Sequence, residues 1–131
     1  MVWTIYEFLD SRGQGVIEVW LKQARIQKKG RARLNLKLDL LEQAGPDLPP
    51  GLFAGPINGH IYKLRVKVPG VQLRPLLCRG PINNDREFTL LCGATERDWE
   101  LIPTDALQRA EEYRQIVLVT PSRRRKHEYP F

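Results

Sequence analysis

Residues 61–68 read Ile-Tyr-Lys-Leu-Arg-Val-Lys-Val, and their strict alternation limits what the chain can build. Tyr62, Leu64, Val66 and Val68 fall on one face of a strand, and Ile61, Lys63, Arg65 and Lys67 on the other. Three cations in a row along one face repel one another, so a sheet that keeps them has an anion to receive. Pro69-Gly70 suits a type II turn, which makes residues 71–79 the hairpin partner of this strand. Pro75 has no N–H to give to a ladder and calls for an edge or a bulge there. Gly80-Pro81-Ile82-Asn83-Asn84-Asp85 turns the chain again, and residues 86–93, with Phe88, Leu90 and Leu91, read as a third strand. Three consecutive strands predict an antiparallel sheet.

The flanking segments add helices. Val2 to Leu9 is rich in β-branched and aromatic residues and ends at the turn signal Asp10-Ser11-Arg12-Gly13, which predicts a first strand. Residues 14–28 carry Ile17, Leu21 and Ala24 at helical spacing, with Val16 and Trp20 beside them, and Gly30 is expected to break that helix. Residues 31–43 alternate Leu34, Leu36, Leu38 and Leu40 with polar residues as a strand would. They contain no β-branched or aromatic side chain, however, and are dominated by good helix formers, so helix is the reading. On that helix Leu34, Leu38 and Leu41 form one stripe and Leu36 and Leu40 a second, which implies two packing partners. The Gly- and Pro-rich residues 45–59 predict an irregular loop up to His60. After the polar residues Glu96 to Trp99, Pro103-Thr104-Asp105 starts a helix through Ala106, Ala110, Tyr113 and Val117 that Pro121 ends. Trp3, Tyr6, Phe8 and Trp20 are candidates for the core.

With 131 residues, 42% hydrophobic and 27% charged, the chain can bury one core and is not disordered throughout. Residues 1–121 are expected to form a single domain, and residues 122–131 a basic tail with little to bury. No apolar run approaches the roughly 20 residues of a membrane span, and no basic segment followed by an apolar one opens the chain, so a soluble cytoplasmic protein without a membrane partner is expected. Cys78 and Cys92 read as reduced core thiols, and with His60 and His127 at these spacings they do not suggest zinc or any other metal. No cofactor motif is present.

The 21 Lys and Arg against 15 Asp and Glu, for a net charge of +6, are clustered. Lys22, Arg25, Lys28, Lys29, Arg31, Arg33 and Lys37 lie in a stretch free of acids, for which a solvated helix face is the plainer explanation. A second group is Lys63, Arg65, Lys67, Arg74 and Arg79, and the tail adds Arg123, Arg124, Arg125 and Lys126. Phosphate-rich partners follow, since each neutralised phosphate releases counterions.

Four pieces occur in order: Ile61-Tyr62-Lys63-Leu64-Arg65, then Leu73-Arg74, then Leu90-Leu91-Cys92-Gly93-Ala94, then Pro103 with Ala106, Leu107 and Ala110. Their order and spacing over residues 60–110 resemble the RelE/ParE toxin superfamily, especially its HigB-like, phage-derived branch. The resemblance implies an α+β fold, RelE-like, with a twisted antiparallel sheet, an N-terminal helical pair and a C-terminal helix packed on one face. The other face would be a basic concavity. It implies the toxin of a toxin-antitoxin system, a metal-independent messenger RNA endoribonuclease (mRNA interferase) working at the ribosome through attack of the ribose 2′-hydroxyl on the adjacent phosphate. Its other partner would be a cognate antitoxin, often of helix-turn-helix type, and the Leu36 and Leu40 face is a candidate for part of that contact. Lys63, Arg65 and Arg74 match family positions and would clamp phosphate, while Arg97 lies near where the family carries further basic residues. Glu96 stands where a basic residue is common, and Pro103 about where some members place a tyrosine, so the acid and base are not assigned by the resemblance. His127, Tyr129 and Glu96 are the candidates for proton transfer. Lys67, Arg79 and the tail cations would extend the RNA contact, and Trp99, in a polar loop beside Arg97, could stack on a base. Two alternatives stay open: a ParE-like toxin that binds gyrase without enzymatic activity, and a nuclease-dead module that binds nucleic acid or a protein partner.

Overall fold

Residues 2–128, 130 and 131 are described by the computed structural model, an α+β arrangement in which an open mixed sheet lies between helices. The elements run β1 (Thr4–Phe8), α1 (Val16–Gln23), α2 (Lys28–Ala44), β2 (Phe53–Asn58), β3 (Ile61–Leu64), β4 (Val66–Val68), β5 (Val71–Arg79), β6 (Glu87–Arg97), β7 (Glu100–Ile102), α3 (Ala106–Val119) and β8 (Arg124–Lys126). Strand order is β2-β3-β5-β6-β1-β8, with β4 beside β5 and β7 beside β6. The expected meander β3-β4, β5, β6 is antiparallel throughout, but β1 enters beside β6 in parallel, so the sheet is mixed. The helices between β1 and the meander supply the long crossover that parallel pairing requires.

The core has two layers. Ile17 and Leu21 of α1 and Leu34, Leu38 and Leu41 of α2 pack with Ile5, Leu64, Val66, Leu73 and Phe88 on one face of the sheet. Ala106, Ala110 and Val117 of α3 pack with Phe8, Ile61, Leu76, Leu91 and Ala94 on the other. Helices therefore cover both faces, where the sequence reading put them on one and left the other open. The alternation of β5 requires it: Leu73 and Leu77 point one way, Leu76 and Cys78 the other, and all four are fully buried.

Boundaries differ from expectation where tertiary contacts override local signals. α1 ends at Gln23 because Arg25 takes a left-handed backbone (φ 55°) and Ile26 N–H reaches back to Leu21 C=O, a Schellman-type stop without the usual glycine. Gly30 breaks nothing; it is buried in the first turn of α2, where an added Cβ would come within 2.7 Å of Ile26 Cγ2. Of the two stripes on α2, only Leu34, Leu38 and Leu41 are buried, while Leu36 and Leu40 are 57% and 38% exposed. The expected loop of residues 45–59 contains β2, which tolerates Gly55-Pro56 because it is an edge strand with an irregular register between Ala54 and Asn58. Pro75 sits inside β5, one pair before the register shift of the β5–β6 ladder between Leu76 and Leu77 and near the interruption between β3 and β4 at Arg65.

The segment expected to be a tail with little to bury is built into the sheet. β8 pairs with β1 from Tyr6↔Lys126 to Phe8↔Arg124, closing an edge that would otherwise expose unpaired N–H and C=O groups. Arg124 pairs with Glu87 and lies over the Tyr6 ring, and His127 is buried. No helix among the described residues is long and apolar enough to cross a membrane.

Trp20 explains one glycine of the β6 motif. Its indole lies directly on Gly93, where an added Cβ would stand 1.8 Å from the ring. Gly93→Ala is expected to destabilise the fold by about 1–3 kcal/mol through overpacking, measured by urea denaturation, whereas Gly51→Ala, with open space around it, serves as the neutral control.

Candidate functional site

The main concavity, about 810 Å³, opens where β4, the start of β5 and the end of β6 meet the flank of α2. Five cations line it: Arg33 and Lys37 from α2, Arg65 between β3 and β4, Lys67 from β4 and Arg74 from β5. Glu96 and Asp98 are its carboxylates, and Leu36 and Trp99 its large apolar side chains. The helical and strand patches, separate in sequence, thus share one cleft. Arg33 and Lys37 escaped the sequence reading because only the packing of α2 beside β4 brings them there, with the Arg33 guanidinium donating to Lys67 C=O at 2.6 Å.

Alternation places Lys63, Gln72, Arg74 and Glu96 on the same face of adjoining strands. Arg74 is 4% exposed and held by three acceptors: its Nε donates to Glu96 Oε1 (3.1 Å), one terminal nitrogen to Leu73 C=O (2.9 Å) and the other to Gln72 Oε1 (3.1 Å). Lys63 Nζ donates to the same Glu96 oxygen at 2.7 Å. Both cations converge on Oε1, so Oε2 accepts no hydrogen bond from a described residue. Burial pushes the Glu96 carboxyl up, but the Lys63 hydrogen bond and the Arg74 charge outweigh it and hold the group below the ordinary carboxylate range. Glu96 is therefore ionised, and of the three strand cations Lys63 finds its counter-charge within the chain.

Arg65 is different. Its backbone N–H leaves the ladder for Leu52 C=O, its side chain lines the cleft, and its Nε is buried without an acceptor among the described residues. No described carboxylate pairs with Arg33, Lys37, Arg65 or Lys67.

Trp99 sits with Asp98 in the two-residue turn joining β6 to β7, where both have positive φ, 51° and 68°. That conformation belongs to glycine and asparagine, and a bulky aromatic in it is strained. Trp99 is nonetheless 91% exposed.

The remaining candidates lie elsewhere. Arg79 donates to Asn84 C=O and sits over Trp3, outside the cleft. Arg97 is exposed at the end of β6 and does not line it. Arg123, Arg124, Arg125, Lys126 and His127 are at the β1–β8 edge, across the sheet from β4: Arg123 donates to Leu9 C=O, Arg124 pairs with Glu87, and Arg125 with Glu7. His127 Nδ1 is 2.7 Å from Glu7 Oε2 and its ring stacks on Phe131, so it is a core group rather than a proton donor at the cleft. Tyr129 lies outside the described residues. His60 is exposed in the turn before β3. Burial pushes both thiols, Cys78 and Cys92, up to about 12, leaving them unreactive. Among the described residues no three His, Cys, Asp or Glu side chains converge as metal ligands.

No protein-family model matches this chain, and no curated protein or solved structure is significantly similar to it.

Burial raises the Glu7 carboxyl, but its hydrogen bond and attraction to His127 and Arg125 prevail, so Glu7, like Glu96, titrates below its ordinary value. The native state then binds fewer protons than the unfolded chain. The resulting stability is complete above the unfolded glutamate value near 4.3 and is lost as the pH falls through the lower folded values. Urea denaturation across that range is expected to show this acid loss, and to show less of it in Glu7→Gln. Trp99→Gly, which frees the turn from its strained conformation, is expected to raise stability by about 1 kcal/mol in the same assay.

Proposed function

We propose that this protein is an RNA-binding toxin of the RelE-like kind, an endoribonuclease that cuts messenger RNA in the cleft between α2 and the β4–β6 end of the sheet. Arg65 carries the reading. It is a cation whose Nε is buried with no acceptor among the described residues, beside Lys67, Arg33 and Lys37, which no described carboxylate neutralises. A buried unmet donor costs about 1–3 kcal/mol, and an arriving phosphate oxygen would meet it.

The fixed groups suit cleavage by the ribose 2′-hydroxyl. Arg65 and Lys67 would hold the scissile phosphate and stabilise the extra negative charge of the phosphorane. Arg74, locked by Gln72, Leu73 and Glu96, supplies a positive charge that needs no reorganisation. Glu96 offers its open Oε2 to the 2′-hydroxyl proton. The 2′-oxygen then bonds to phosphorus, the bond to the 5′-oxygen breaks, and the leaving oxygen takes a proton from the Lys63 ammonium, giving a 2′,3′-cyclic phosphate and a 5′-hydroxyl. General acid and base groups of this kind contribute about 10²–10⁴-fold each. The ribosome as the place of reaction, the cytoplasm, and a helix-turn-helix antitoxin covering the cleft and the Leu36 and Leu40 face belong to the same reading. One observation favours the nuclease-dead alternative: the two ion pairs that hold Glu96 ionised also make it a weak base.

Controlled expression in cells with mapping of messenger RNA 5′ ends tests the proposal. New 5′-hydroxyl ends are expected with the wild type and not with Arg65→Gln combined with Lys67→Ala, while Glu96→Gln keeps RNA binding and loses cleavage about 100-fold or more. Intact messages with arrested growth would overturn it in favour of a ParE-like target. Salt-dependent RNA binding with no cuts would leave the binding module.

A further inference from the structure

We propose that Trp99 is a stacking platform for an unpaired nucleobase, which makes the cleft selective for single-stranded over duplex RNA. This rests on the cleft being an RNA site and adds how that site chooses its substrate. Trp99 exposes 91% of its surface, the most of any large hydrophobic residue described, and makes no ring or cation contact with a described residue. It also holds a left-handed backbone at φ 68°, in a turn that Asp-Gly would form without strain. A side chain that stabilises neither the core nor its own turn gives the fold nothing, and strain of this kind persists where a site uses it.

Its position says for what. Trp99 lines both the cationic cleft and a smaller adjoining hollow that brings together Ile57, Leu101 and Leu107 with Lys63, Glu96 and Glu100, so it stands at the boundary between the cations of the cleft and a partly apolar surface. Cations that track a phosphodiester backbone, with an aromatic face beside them, are the combination that binds single strands: the charge holds the backbone and the ring stacks on a base of any sequence. A duplex keeps its base faces inside the stack and cannot offer one. Trp99 is a specificity-determining residue on this reading, while phosphate affinity resides in Arg33, Lys37, Arg65 and Lys67.

Fluorescence anisotropy separates the two roles, with a short unstructured RNA, the same RNA annealed to its complement, and inorganic polyphosphate as a base-free competitor. Trp99→Ala is expected to weaken single-strand binding about 5- to 150-fold, the range for loss of one base stack, and to leave duplex and polyphosphate affinity unchanged. Trp99→Phe is expected to restore most of the single-strand affinity. Circular dichroism checks that the variants fold, which the exposure of the side chain favours. Unchanged single-strand affinity in Trp99→Ala, or equal weakening toward all three probes, would overturn the platform and leave the cationic cleft standing. If the wild type binds none of the three, the RNA reading falls with it.

Discussion

The pairing of β5 with β6 is the constraint on which the rest of the molecule depends. β3 and β4 are registered on one side of this hairpin, β1 on the other, and β7 on its far end. α1 and α2 close one of its faces and α3 the other, so its inward positions between the two ends are apolar; buried charge is confined to the ends, Glu87 with Arg124 at one and Arg74 with Glu96 at the other. At that end Arg74 is registered with Ala94, which puts Glu96 one diagonal step away and within reach of both Arg74 and Lys63. The ion triad is thus a consequence of register. A slip of one residue would turn Glu96 to the opposite face and leave two cations buried without a counter-charge.

The same hairpin accounts for Arg65. β3 and β4 lie in one continuous register against β5, with Lys63 opposite Leu76 and Val66 opposite Leu73, yet the ladder stops between them. Across from the gap is Pro75, which has no N–H to donate. Arg65 directs its own N–H to Leu52 instead, and its guanidinium is left at the cleft wall with Nε buried and no acceptor for it among the described residues. A proline in the middle of a sheet, which costs one ladder bond, here creates the break beside which the least satisfied cation of the site stands.

How far the sequence anticipated this follows from the range of each interaction. The alternation of residues 61–68, the Pro69-Gly70 turn and the helix formers of residues 31–43 are local signals, and the elements they predict are present. Lys63, Arg65, Lys67 and Arg74 share a face for the same local reason and do meet at one end of the sheet. What depended on tertiary contact was illegible. Nothing in the sequence places α2 beside β4, so Arg33 and Lys37 read as a solvated helix face, and α3 was assigned to the wrong face. Arg25 ends a helix without glycine, and Asp98-Trp99 turns a hairpin with a residue that turn chemistry excludes. The Leu36 and Leu40 stripe was visible as pattern and is exposed as geometry.

Charge density was the weakest guide of all, and the reason is physical. The run Arg123-Arg124-Arg125-Lys126 is the densest in the chain, yet Arg124 and Arg125 are matched to Glu87 and Glu7, carboxylates that lie 37 and 118 residues away in sequence and next door in the sheet, and Arg123 covers Phe8. Those arginines close an edge. Arg65 and Lys67 belong to a sparser run and have no such match. A cation that a fold has already paired has spent its hydrogen-bonding capacity within the protein and binds an external anion only by breaking that pair, whereas an unpaired one in a concavity has no such pair to break. What distinguishes a binding cation from a structural one is therefore the carboxylate it lacks, a property of register and packing. By that criterion the β4 end of the sheet is where the proposed binding falls, and the paired arginines of the β8 end serve the fold.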